Sequence, residues 1–161
     1  MSDAMSDSMS DYRIEKVRHG VEVTLTNGHR LDGDVFVQSS TRFRPGPEEP
    51  LDLLNDDEPF LPLVLMTGAV YLVQKAQIAV VGTRLPEGDD AVDRAVVGMK
   101  TELTLVDGST HVGSIFPEVR ANRQRLIDAL NDLSAPFVAL FTAEQLRLVN
   151  RRHIAYVRPV N

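Results

Sequence analysis

No cysteine occurs among the 161 residues. That excludes disulfides, thiolate metal sites and cysteine nucleophiles, and it suits a reducing, cytoplasmic setting. No apolar run approaches the ~18 residues that a membrane-spanning helix requires, so no membrane partner is expected. Met1 to Asp11 have neither the basic start nor the apolar stretch of a secretory signal. They read as three near-copies of Met-Ser-Asp-x beginning at Met1, Met5 and Met9. We take them as a disordered tail, in which any of the three methionines can be the start. The chain also has no Gly-x-Ser-x-Gly elbow, no phosphate-cradling loop and no dinucleotide fingerprint. It therefore reads as a protein without a cofactor and without enzymatic activity.

What is present is an ordinary globular composition, 43% hydrophobic and 25% charged. The net charge is −6, which repels phosphate backbones from the chain as a whole. Only residues 97–161 are net positive, so a basic patch can arise only there.

The strongest feature is an internal repeat. Val21-Glu-Val-Thr-Leu-Thr-Asn-Gly28 matches Thr101-Glu-Leu-Thr-Leu-Val-Asp-Gly108, and Gly33 then matches Gly113. Leu54-Asn55-Asp56 matches Leu130-Asn131-Asp132, and Pro59-Phe60 matches Pro136-Phe137. Val70 to Val81 matches Leu146 to Val157. The blocks keep their order, which divides the chain into a tail (1–11), a first unit (12–82), a linker (83–96) and a second unit (97–161).

Each unit reads as strands. Val21, Val23 and Leu25 alternate with Glu22, Thr24 and Thr26, the period of a half-buried strand, and Thr101 to Val106 repeats the pattern. Asn27-Gly28 and Asp107-Gly108 are hairpin signals of the type I′ kind. The second strands run from His29 to Gln38 and from Ser109 to Phe116. Gly33 and Gly113 inside them mark a bulge or a sharp bend, as at a barrel corner. Asn122 to Leu133 places Leu126, Ile127, Leu130 and Leu133 at helical spacing. Its counterpart, Pro50 to Asn55, allows a turn or two of helix with proline at the first position. The Pro- and charge-rich stretch Thr41 to Pro50 is a loop. Third strands follow at Phe60 to Met66 and Phe137 to Thr142, and Pro62 places the first of them late-starting or at an edge. The closing strands are Val70 to Gln74 with Gln77 to Val81, and Leu146 to Asn150 with His153 to Arg158. Ala91 to Val97 can form a turn of helix in the linker.

Five short strands, a bent second strand and a tight final hairpin suggest a small SH3-like barrel, and within that class each unit resembles the Sm-like superfamily. Leu25, Gly28, Gly33, Asp52 and Asn55 resemble its first motif, as do Leu105, Gly108, Gly113, Asp128 and Asn131 in the second unit. Val149-Asn-Arg-Arg-His-Ile-Ala-Tyr-Val157 is similar to the second motif and to the basic turn of bacterial Sm-like RNA chaperones. The unit also resembles bacterial proteins of unknown function with a final Leu-Val-Asn-Lys-like strand followed by His-Ile. The resemblance implies two tandem five-stranded Sm-like barrels, each with a short helix before the third strand, in a mainly β chain.

The candidate functional residues are few. His19, His29, His111 and His153 do not recur between units and have no metal-ligand spacing, so no metal site is expected. Asp56-Asp57-Glu58 lacks the pattern of a calcium loop and reads as solvated acid. Asp52, Asn55, Asp128 and Asn131 recur, and residues of these types beside short helices act as caps or make turns. Arg151, Arg152 and His153, with Arg147, Arg158 and the helix residues Arg120, Arg123 and Arg125, form the basic concentration. Tyr156 adds an aromatic face for stacking. Two functional readings follow. The first is a non-catalytic binding or regulatory module acting through protein–protein contact or self-association at sheet edges. The alternative is RNA binding through Arg147, Arg151, Arg152, His153 and Tyr156.

Overall fold

The computed structural model describes residues 16–39, 47–86, 98–116, 126–132 and 134–160. The tail 1–11, most of the 41–50 loop and of the 83–96 linker, the expected turn at Ala91 to Val97, and Arg120, Arg123 and Arg125 lie outside the described residues. In the first unit β1 (Lys16–Leu25), β2 (Arg30–Gln38), α1 (Pro50–Asn55), β3 (Phe60–Leu65) and β4 (Val70–Gln74) lead through a single 3-10 turn (Lys75–Gln77) into β5 (Ile78–Thr83). The second unit repeats the succession. It runs β6 (Met99–Leu105), β7 (Thr110–Ile115), α2 (Leu126–Leu130), β8 (Phe137–Phe141), β9 (Leu146–Asn150), a 3-10 turn (Arg151–His153) and β10 (Ile154–Pro159).

All ten strands join one antiparallel sheet in the order β10-β6-β7-β8-β9-β5-β1-β2-β3-β4. Each unit therefore has the same internal order, with its fifth strand beside its first and its fourth at the far end. The expected pair of closed barrels is not formed. The second side of β5 is taken by β9 of the other unit rather than by its own β4, so the two units share one open sheet.

The hairpins differ from the expected type I′ turns. Gly28 donates to the Leu25 carbonyl at 2.9 Å, Gly108 repeats this with Leu105, and Leu25 N–H bonds the His29 carbonyl at 2.8 Å. Gly28 and Gly108 have positive φ, but no non-glycine residue does among those described. Asn27 and Asp107 thus keep ordinary backbone angles, and the loops are type I turns closed by a glycine bulge. Gly68 closes the β3–β4 hairpin in the same way.

Gly33 and Gly113 have a steric role. A Cβ on Gly33 would lie 2.5 Å from the Val64 carbonyl oxygen, and one on Gly113 would lie 2.5 Å from that of Phe141. The second strand of each unit meets the third over only one or two residue pairs, Gly33↔Leu65 with Asp34↔Val64 and Ser114↔Phe141. The crossing is therefore brief and close. Because β2 leaves β3 beyond Val64, the first half of β3 behaves as an edge on that side. Strand alternation points the Pro62 nitrogen there, so its missing N–H costs no ladder bond.

Two apolar cores lie under the sheet, and each draws on both units. Val21, Val23, Val35, Leu54, Leu63 and Ile78 of the first unit are joined by Phe137 and Leu148 of the second. Leu103, Leu105, Ile115, Leu140 and Val149 of the second unit are joined by Ala79 and Val80 of the first. No helix among the described residues is long and apolar enough to cross a membrane.

Candidate functional site

The joint between the units brings together polar and apolar side chains of both. β5 pairs with β9 through Val80↔Val149, Val81↔Leu148, Gly82↔Arg147 and Thr83↔Leu146, and every residue of β5 is buried. Side chains bind backbone on the other side of the joint. Asn55 accepts from the Phe137 N–H at 2.8 Å and donates to the Phe137 carbonyl at 3.3 Å. Buried Asn150 donates to the carbonyls of Ile78 (2.9 Å) and Lys75 (3.4 Å) and accepts from the Arg152 N–H at 3.1 Å. His153 Nε2 donates to the Ala76 carbonyl at 2.9 Å. A buried amide with this many partners fixes register as well as contributing stability.

A cation supports the end of each helix. Lys75, buried, donates to the Leu53 carbonyl and pairs with Asp56 at 2.5 Å. At the equivalent place Arg151 donates to the Ala129 and Leu130 carbonyls, and to Ala135 O at 2.9 Å. Burial lowers the Arg151 pKa, and the charge of Asp132 opposes that shift. Both cations occupy carbonyls that a helix C-terminus leaves without internal partners.

The five residues expected to contact RNA or a partner are therefore not one free basic surface. Arg151 is consumed by the helix end and His153 by the joint. Arg147 donates to His111 Nδ1 at 2.8 Å and to Gln145 Oε1 at 3.1 Å. Arg152 and Tyr156 remain exposed. Of the four expected caps, Asp52 accepts from the Glu49 N–H at 2.7 Å across the first turn of α1. Asn55 instead spans the joint. Asn131 lies exposed just after α2 and Asp128 within it. Lys75, Asn150 and the joint role of Asn55 were not anticipated. The available signal was the recurrence, one repeat apart, of Lys75 with Asp56 and of Arg151 with Asp132.

Asp107, Ser109, His111 and Arg147 form a hydrogen-bonded chain with the composition of a nucleophile relay. Ser109 Oγ lies 2.7 Å from Asp107 Oδ1 and 3.1 Å from His111 Nε2. Arginine can only donate, so His111 Nδ1 accepts and Nε2 carries the proton. The serine hydroxyl then receives from the imidazole and donates to the aspartate, the reverse of what base activation requires. Burial, then the Arg147 charge, lowers the His111 pKa from 6.5, with Asp107 opposing. Among the described residues no group of three or more histidine, aspartate or glutamate side chains could hold a metal ion.

The outer strands β4 and β10 are open. Among the described residues β4 pairs with β3 alone, and β10 with β6 alone. Strand alternation from the Leu65 N–H to Ala69 carbonyl bond turns the backbone groups of Val70 and Leu72 to the open side of β4. Val70, Tyr71, Leu72 and Tyr156 are exposed beside these free edges. No protein-family model, curated protein or solved structure matches the chain.

Proposed function

We propose that this chain is a non-catalytic protein-binding module that takes up a partner strand at its open sheet edges, β4 above all. The carrying observation is a backbone edge with no partner strand among the described residues, flanked by exposed Val70, Tyr71 and Leu72. Apolar side chains beside free N–H and C=O groups are a liability in an isolated monomer and a recognition surface in a complex. We read each unit as an Sm-like, SH3-like module. Their common strand order, the glycines at the brief β2–β3 and β7–β8 crossings, and the glycine-closed hairpins support that reading. A chain without cysteine suits the cytoplasm, where we place its action. RNA binding at the basic turn retains Arg152 and Tyr156 as exposed contacts. The engagement of Arg147, Arg151 and His153 within the fold favours the protein reading.

The test is native recovery of the tagged full chain, wild type and Leu72→Lys, with and without nuclease. Nuclease-resistant protein partners are expected on the wild type, reduced about tenfold or more on the variant, since even ~1.4 kcal/mol of lost edge contact gives that factor. Equal recovery on both, or recovery of nucleic acid alone, overturns the proposal.

A further inference from the structure

We propose that the strand taken up by β4 is β10 of a second copy of this chain, in the register of the internal joint; this rests on reading the edges as strand-binding. The internal joint is head-to-tail, pairing the fifth strand of one unit with the fourth strand of the other. A joint of this kind leaves the same two surfaces unsatisfied at the ends of the pair. Here those are β4, the counterpart of β9, and β10, the counterpart of β5.

The side chains agree at several positions. Phe137 is 2% exposed in the joint and its counterpart Phe60 is 49% exposed at the open edge. Leu148 is 0% exposed and its counterpart Leu72 is 66%. Val80 is 8% exposed and its counterpart Tyr156 is 64%. The helix follows suit: Leu51 packs against the first core, whereas its counterpart Ile127 is exposed. These positions, buried in the joint, are bare at the two ends, whereas Val73, the counterpart of Val149, is buried in both places.

One size change is compensated across the gap. In the joint Gly82 accommodates the large Gln145, whose amide lies 2.8 Å from where a Cβ would be. At the ends the pair is reversed, with the large Arg158 on β10 and the small Ala69 before β4. Transferring the joint register sets Tyr156 opposite Val73, Val157 opposite Leu72 and Arg158 opposite Tyr71, a cation against an aromatic face. Gln74 stands where Asn150 stands, and Asn131 where Asn55 does, each exposed. Val160 N–H bonds the Lys100 carbonyl, so alternation turns the Pro159 nitrogen toward the open edge. Proline there, in place of Thr83, removes one ladder donor. The joint between copies is therefore weaker than the internal one and reversible on dilution. Repeated addition gives a closed ring or an open filament, according to the rotation per step.

The purified full chain tests this directly. Sedimentation against concentration should show masses above 17.8 kDa in multiples of it, falling to the single chain for Leu72→Lys with an unchanged circular dichroism spectrum. A register test needs no background correction, because the chain has no cysteine. Tyr71→Cys mixed with Arg158→Cys should form a disulfide-linked heterodimer on mild oxidation, while neither variant alone should. A wild type that stays a single chain at its highest soluble concentration overturns the inference. So does a Tyr71→Cys homodimer, which would mean β4 paired with β4. If the purified chain stays single while Leu72-dependent partners are recovered from cells, only the identity of the partner falls. If Leu72→Lys changes neither experiment, the edge reading falls with it.

Discussion

Replacing Gly33 with alanine puts a new Cβ 2.5 Å from the Val64 carbonyl oxygen and 3.0 Å from its carbon. Ordinary contact begins near 3.4 Å, so about 1 Å of separation must be found. The obstacle is the backbone of β3, which is held on its other side by five register pairs with β4. Neither strand can yield without loss of ladder geometry, and overpacking of this kind costs about 1–3 kcal/mol. Two other glycines separate this cause from its rivals. Gly82→Ala meets the end of the Gln145 side chain at 2.8 Å, which can swing aside at the loss of its 3.3 Å bond to Glu22 and the 3.1 Å bond it accepts from Arg147, both partly solvent-exposed. Gly28→Ala meets nothing within 4 Å but must hold φ near +87°, a strain of about 1–2 kcal/mol that asparagine largely relieves. The gain from a stiffer unfolded chain, about 0.4–1 kcal/mol for glycine to alanine, is common to all three and cancels between them. Urea unfolding with linear extrapolation should therefore rank Gly33→Ala and Gly113→Ala as the most destabilised. The corresponding fall in Tm is about 2–4 °C per kcal/mol for a chain of this size. Gly82→Ala should stay within about 1 kcal/mol of wild type, and Gly28→Asn should exceed Gly28→Ala in stability. If Gly33→Ala and Gly82→Ala unfold at the same urea concentration, the close approach of β2 to the β3 carbonyls is not what requires glycine at position 33.

Arg151→Met strips the donors from two carbonyls at the end of α2 and from that of Ala135 and should cost about 1–3 kcal/mol in thermal unfolding, whereas Arg151→Lys should lose less because Lys75 fills the equivalent place in the first unit. Equal losses for the two variants would remove the clamp role. Arg152 makes no such bond with its side chain, so Arg152→Glu is the clean probe of RNA binding: at low salt, a mobility shift abolished by this variant in a fully folded protein would favour the RNA reading over the protein one. His19 and His111 both have pKa values lowered from 6.5 in the folded state, by burial first and then by Arg84 and Arg147 respectively. The unfolded chain therefore binds protons more readily as pH falls, and the stability these neutral imidazoles carry is complete above 6.5 and lost below it. Denaturation midpoints should drop between about pH 7.5 and about pH 5.5, less steeply in His111→Gln, and a flat midpoint across that window would refute the assignment.

The strands were legible because alternation at Val21-Val23-Leu25 and its copy at Leu103-Leu105 leaves only one way to bury the aliphatic side chains. The repeat itself located the helices and the last two strands of each unit to within a few residues, but those strands are joined by a 3-10 turn and do not pair as the expected hairpin. The turn type was misread because Asn-Gly is compatible with two hairpin geometries, and the choice rests on the φ of Asn27, which the dipeptide does not specify. The joining of the units was not legible either. Whether β5 pairs with its own β4 or with β9 depends on curvature summed over five strands, a property no single residue reports. The clamp formed by Arg151 was not legible for a related reason: its partners are backbone carbonyls, which leave no mark in a sequence. Asn55 and Asn150 bind backbone in the other unit, and only the fold brings those atoms together.

The shared cores have a consequence for how the molecule tolerates change. Phe137 and Leu148 complete the interior of the first unit, and Ala79 and Val80 that of the second. Duplication usually supplies a spare, so that a lesion in one copy is covered by the other. Here the interiors are exchanged, and a lesion in either copy is felt in both. Neither half can drift, be excised or melt by itself, and heat should take the whole chain apart in a single cooperative step.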